Sequence, residues 1–82
     1  MARSFHLTIA RVGENLFDGE VVSVALPGAD GAFEVLAGHE ALVSPLKAGE
    51  ARVVAESGEH YHFELSHGGI AEVSGNQVTV LL

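Results

Sequence analysis

Cysteine is missing from this chain, proline occurs twice, and lysine and arginine together number four. Without cysteine, neither a disulfide nor thiolate-bound zinc holds the fold. A single domain of 82 residues buries only about 60% of the surface its unfolded chain exposes, so stability rests on the apolar core alone. The four basic side chains stand against eleven acidic ones, a formal net charge of −7. That balance repels a phosphate backbone and leaves no Lys/Arg cluster to neutralise one, which argues against nucleic-acid binding. No apolar stretch approaches the roughly 20 residues of a membrane-spanning helix. The start, Met1-Ala2-Arg3-Ser4-Phe5, lacks the apolar segment of a signal peptide. The chain is therefore expected to be soluble and intracellular, meeting a membrane only through a partner.

What the chain does have is period-two patterning. Hydrophobic residues make up 48% of it. Phe5, Leu7 and Ile9 alternate with His6, Thr8 and Ala10, and Val22, Val24 and Leu26 with Val21, Ser23 and Ala25. Tyr61, Phe63 and Leu65 alternate with His60, His62 and Glu64, and Val78 and Val80 with Gln77 and Thr79. Each run predicts a strand with one buried face. Glycine, Pro27, Pro45 and Asn76 punctuate the runs at intervals that suit an all-β sandwich or barrel. The segment Gly38 to Lys47 is the best place for a helix, but Pro45 and the preceding Val43-Ser44 favour a short strand or a single turn. No internal repeat, linker or low-complexity segment interrupts the single domain.

Chemistry-bearing motifs are sparse. His60 and His62 share one face of a strand, a spacing seen at metal sites, and a small metal- or ligand-binding β-barrel using them is the alternative reading. A cupin-like site needs a Glu four or five residues after the second His, where this chain has Ser66 and His67. None of the serines lies in a Gly-x-Ser-x-Gly elbow, and carboxylates such as Glu56 and Glu59 are strand-surface residues. Gly28-Ala29-Asp30-Gly31 carries an acidic residue and no Gly-Lys-Thr/Ser follows, so it closes a hairpin and cradles no phosphate. Gly68-Gly69 marks a positive φ or a backbone passing too close for a Cβ. Gly38-His39 reads either as a tight turn with a hydrogen-bonded His or as a partner-contacting corner. With no nucleophile and base to name, the chain is expected not to be catalytic by itself.

With these residues in view, the chain resembles the N-terminal β-sandwich domain of the epsilon subunit of F-type ATP synthases. The resemblance runs from Phe5-His6-Leu7 through Leu16-Phe17-Asp18-Gly19, Pro27-Gly28-Ala29-Asp30-Gly31, Gly38-His39 with Ala41-Leu42, and Leu46-Lys47-Ala48-Gly49. It continues through Leu65-Ser66-His67-Gly68-Gly69-Ile70-Ala71-Glu72-Val73 to Asn76-Gln77-Val78-Thr79-Val80, and it is the ordered series that is specific. The resemblance implies a flattened β-sandwich of two roughly five-stranded, mostly antiparallel sheets in the central stalk of the rotor. It implies no cofactor and two partners, the gamma subunit and the membrane c-ring, which the domain couples so that proton or sodium movement drives rotation. Implied c-ring contacts are Ala29, Asp30, Gly31 and Ala32 at a hairpin tip and Gly38, His39, Glu40, Ala41 and Leu42 at a corner. An acidic rim there suits basic ring loops. Implied gamma contacts are Leu65, Gly68, Gly69 and Ile70. The implied location is peripheral, on the cytoplasmic face of a bacterial inner membrane, with the isolated chain a monomer.

Two departures stand out. Before Gly-His the family usually has a small Gly and a Pro, where this chain has Glu34 and Ala37, which implies a differently angled corner. Full-length relatives continue into a two-helix domain that brakes hydrolysis, whereas this sequence stops at Leu82, so the brake and its nucleotide site are expected to be absent.

Overall fold

In a computed structural model describing residues 3–82, the alternating runs become strands and no helix occurs among the described residues. In chain order they are β1 (Phe5–Arg11), β2 (Glu14–Leu26), β3 (Phe33–Leu36), β4 (Leu42–Leu46), β5 (Gly49–Ala55), β6 (His60–Leu65), β7 (Gly69–Ser74) and β8 (Gln77–Leu81). The all-β expectation holds, as does the short strand between Gly38 and Lys47, which is β4.

All eight strands belong to one continuous sheet, ordered β4-β7-β8-β1-β2-β5-β6 with β3 also paired to β2. This differs in detail from two separate five-stranded sheets. The 13-residue β2 serves both layers: its first half pairs with β1, and its second half pairs with β3 on one side and β5 on the other. Every pairing is antiparallel except that of β1 with β8. The inward residues of both halves meet in one cluster, with Phe5, Leu7, Ile9, Val73, Val78 and Val80 from one side and Val24, Leu26, Val35, Val53 and Leu65 from the other. Phe17 of β2 also meets Tyr61 and Phe63 of β6 edge-on, at ring-centroid distances of 5.3 and 5.9 Å. Such contacts add about 0.5–1.5 kcal/mol each beyond area burial.

Simple alternation fails at one point in β2. Its buried residues are Val21, Val24 and Leu26, not Val22, Val24 and Leu26. The register with β5 runs Val21↔Ala55 and then Ser23↔Val54, leaving Val22 without a partner. This bulge inserts one residue and so exchanges the two faces of the strand from there on. A second register shift, Ile9↔Phe17 followed by Ala10↔Asn15, skips Leu16. Together the two irregularities bend β2 enough for one strand to serve both layers.

Candidate functional site

Gly28-Ala29-Asp30-Gly31 does close a hairpin, between β2 and β3. The Gly31 amide donates to the Gly28 carbonyl at 3.0 Å, and the Ala29 amide donates to the Pro45 carbonyl of β4 at 2.9 Å. Ala29, Asp30, Gly31 and Ala32 are all exposed on this tip. At the corner, the His39 amide donates to the Leu36 carbonyl at 3.1 Å, and the ring Nδ1 lies 2.7 Å from the Glu40 carbonyl, so the imidazole is held by the turn itself. Gly38, Glu40 and Ala41 are exposed, His39 is half-buried, and Leu42 packs against the core. The tip precedes β3 and the corner follows it, so they lie at opposite ends of a four-residue strand, about 13 Å long at the usual rise. A partner touching both must lie along the flank of β3, over Glu34 and the 53%-exposed Leu36. Asp30, Glu34 and Glu40 form no ion pair among the described residues, which leaves this flank net acidic.

The segment from Leu65 to Ile70 divides differently. Leu65 is 1% exposed and is a core residue, so its side chain does not reach a partner: the strand alternation that exposes His62 and Glu64 turns it inward. Gly68 is buried with φ +74°, and a Cβ there would lie 2.2 Å from the Leu46 carbonyl oxygen. A Cβ on Gly69 would lie 2.3 Å from the Leu81 carbonyl oxygen. The close approach signalled by the paired glycines is thus made inside the chain, by β4 and β8. Only Ile70 of the four presents a side chain outward, and it has company. Ile70 pairs with Pro45 on one side and Leu81 on the other, and the adjacent row is Val43, Glu72 and Thr79. Val43, Ile70, Glu72, Thr79 and Leu81 line a shallow concavity of ≈ 220 Å³ on the outside of the sheet. Val43, Leu81 and Glu72 were not anticipated from the sequence. Alternation places Val43 and Leu81 outward one by one, but only the pairing of β4, β7 and β8 brings them beside Ile70 and Glu72.

Two of the histidines, His6 and His62, are engaged with carboxylates. His60 and His62 are both exposed on the outer face of β6 as the spacing predicts. However, His62 sits across from Arg52 in the β5–β6 register, and its Nδ1 is 3.0 Å from a Glu50 oxygen whose partner oxygen accepts from Arg52 Nε at 2.9 Å. Hydrogen bonds from His62 first, and Arg52 second, hold the Glu50 carboxyl below its usual range. No group of three His, Asp or Glu side chains converges on a metal-sized centre among the described residues. His6 of β1 is bracketed by β2: Nδ1 lies 2.9 Å from Glu20 and Nε2 is hydrogen-bonded to Asp18. Ionised carboxylates only accept, so this bracket is satisfied on both sides when both ring nitrogens carry a proton, and it favours the imidazolium form. Its pKa is raised accordingly, by Glu20 first and then Asp18.

Residues 4–82 match the family model described as ATP synthase, Delta/Epsilon chain, beta-sandwich domain. The chain is 38% identical over 79 residues to the ATP synthase epsilon chains of Chlorobium limicola and Chlorobaculum tepidum, spanning 96% of this chain and 89% of each of those. Among solved structures, it superposes with a TM-score of 0.87 and 31% identity on a chain of the Euglena gracilis mitochondrial ATP synthase, from the OSCP/F1/c-ring assembly in rotational state 1. That match covers 95% of this chain and 49% of the other, so the chain spans about half the length of its Euglena counterpart. A chain from the central stalk and c-ring of the Tetrahymena thermophila mitochondrial ATP synthase superposes with a TM-score of 0.76 at 14% identity, over 96% of this chain and 63% of that one. This second likeness is one of fold alone.

Proposed function

The chain belongs to the ATP synthase delta/epsilon chain β-sandwich family, and from that premise we propose that it is a non-catalytic rotor subunit of an F-type ATP synthase. In this role it fixes the gamma subunit to the membrane c-ring, so that ion movement drives ATP synthesis or hydrolysis drives ion pumping. The observation that carries the reading is the match of residues 4–82 to the family model, together with 38% identity over 79 residues to epsilon chains of which this sequence spans 89%. Two exposed surfaces of different chemistry give the role a physical basis. The flank of β3, with Asp30, Glu34 and Glu40 free of ion pairs among the described residues, suits basic loops of a ring, where charge complementarity sets register and assembly rate. The apolar outer face around Ile70, Val43 and Leu81 suits a more permanent neighbour and is assigned to gamma.

Co-purification with gamma and with the detergent-solubilised c-ring tests this directly. Reversing the three flank charges with Asp30→Lys, Glu34→Lys and Glu40→Lys is expected to slow association with the ring and weaken its salt dependence, leaving gamma binding intact. A folded chain that captures neither partner overturns the reading.

A further inference from the structure

The outer face of β4, β7 and β8 carries one carboxylate in an apolar setting. Glu72 lies in the β7 row between Val43 of β4 and Thr79 of β8, with Ile70 and Leu81 in the row beside it. Val43 is 62% exposed, Leu81 51% and Ile70 43%, so a partner seated on this face covers all three, and Glu72 with them. Among the described residues no cation pairs with that carboxylate. Arg11 pairs with Glu14 at 2.9 Å and Arg52 with Glu50 at 2.9 Å. The Arg3 guanidinium lies beside Gly38 at the corner. What sets Glu72 apart is its apolar setting: Asp18 and Glu20 share His6, Glu50 is shared by Arg52 and His62, and Asp30, Glu34 and Glu40, unpaired among the described residues, cluster on the flank of β3. Glu72 makes no ion pair among the described residues.

An ionised carboxylate covered by apolar surface carries a large desolvation penalty unless a cation and hydrogen bonds replace the lost water. We infer that the partner surface seated here presents a basic side chain opposite Glu72, flanked by apolar groups that fill the concavity between Val43, Ile70 and Leu81. Arginine fits this place better than lysine, because its planar fork takes a carboxylate bidentately and is less strongly hydrated. Glu72 then selects the partner: a surface that is apolar throughout, or acidic at this point, is rejected by the unpaired charge. The inference rests on the gamma assignment of this face.

The test is binding of the isolated gamma subunit to wild-type chain and to Glu72→Gln, Glu72→Lys and Ile70→Asp, by calorimetry at low and physiological salt. Circular dichroism melts serve as the folding control, since both side chains point outward. Glu72→Lys is expected to lower affinity at least about 30-fold, and Glu72→Gln about 10-fold or more with loss of the salt dependence. Ile70→Asp is expected to abolish binding. Wild-type affinity in both Glu72 variants, with binding lost in Ile70→Asp, overturns the cation and leaves gamma on this face. Undiminished binding of Ile70→Asp removes the partner from the face and the cation with it. A wild-type chain that does not bind gamma overturns the functional assignment itself.

Discussion

Alanine at Gly68 should destabilise this fold by about 2–4 kcal/mol, through two separable effects. The residue has φ +74°, where a non-glycine side chain costs roughly 1–2 kcal/mol. The added Cβ would lie 2.2 Å from the Leu46 carbonyl oxygen, well inside the 3.0 Å that real Cβ contacts respect. Leu46 has little freedom to retreat, because it pairs with Gly69, bridges to Gly28 and ends β4 in the core. Overpacking of that kind costs about 1–3 kcal/mol, and the lost flexibility of the unfolded chain returns about 0.4–1 kcal/mol. Two controls separate the terms. Gly75 has φ +61° and open space around its Cβ position, so Gly75→Ala carries the conformational cost alone and should come out at about 0–1 kcal/mol. Gly69 is not among the glycines of positive φ, but its Cβ would lie 2.3 Å from the Leu81 carbonyl oxygen, so Gly69→Ala carries the collision alone, about 1–3 kcal/mol. Urea unfolding reads the three values, and in a domain of this size each kcal/mol shifts Tm by about 4–8 °C. If Gly68→Ala proves as mild as Gly75→Ala, β4 does not press on this turn and the reasoning fails.

The bulge in β2 predicts an inversion between neighbours. Val21→Thr buries a hydroxyl in the core and should cost about 1–3 kcal/mol, whereas Val22→Thr, on the half-buried unpaired residue, should cost well under 1 kcal/mol. Equal effects by urea unfolding would remove the bulge from the account. The His6 clamp predicts a pH dependence of definite sign. Because the folded-state pKa lies above the unfolded one, the stabilisation is complete below the usual histidine value and disappears as pH rises through the raised value. Tm measured from about pH 5 to pH 9 should therefore fall more for the wild type than for His6→Gln across that window, and parallel curves would refute the imidazolium.

Alternation revealed the strands in which large apolar residues faced polar ones: β1 with Phe5, Leu7 and Ile9, β6 with Tyr61, Phe63 and Leu65, and β8 with Val78 and Val80. It was weaker in β5 and β7, where Ala51, Ala55 and Ala71 occupy inward positions and offer little contrast with their neighbours. It failed in β2, since nothing in Val21-Val22-Ser23-Val24 marks which valine is skipped. That choice is made by the pairing with β5, a contact far away in sequence. The glycine pair was correctly read as a close approach, but a sequence does not say whether the approaching backbone belongs to the chain or to a partner. Here it belongs to β4 and β8. The acidic flank of β3 was legible because its residues lie close together in the sequence. The apolar face was not, because Val43, Ile70 and Leu81 converge only after three strands have paired.

The lone parallel pairing sets the order in which this chain can fold. β1 and β8 lie side by side in the middle of the sheet, joined from His6↔Gln77 to Ala10↔Leu81, and Asn76 bonds back to Ser4 and His6. A chain emerging from the ribosome therefore has β1 ready first and its central neighbour last. Until β8 arrives, one edge of β1 is open and the core lacks Val78 and Val80. Contacts between the first and last strands of the domain make barrier crossing slow and defer it until β8 has been made. The exposed edge in the interval is a template on which incomplete chains can pair with one another. Closure of the core therefore waits on β8, the last of the eight strands, whatever the other seven have already paired with.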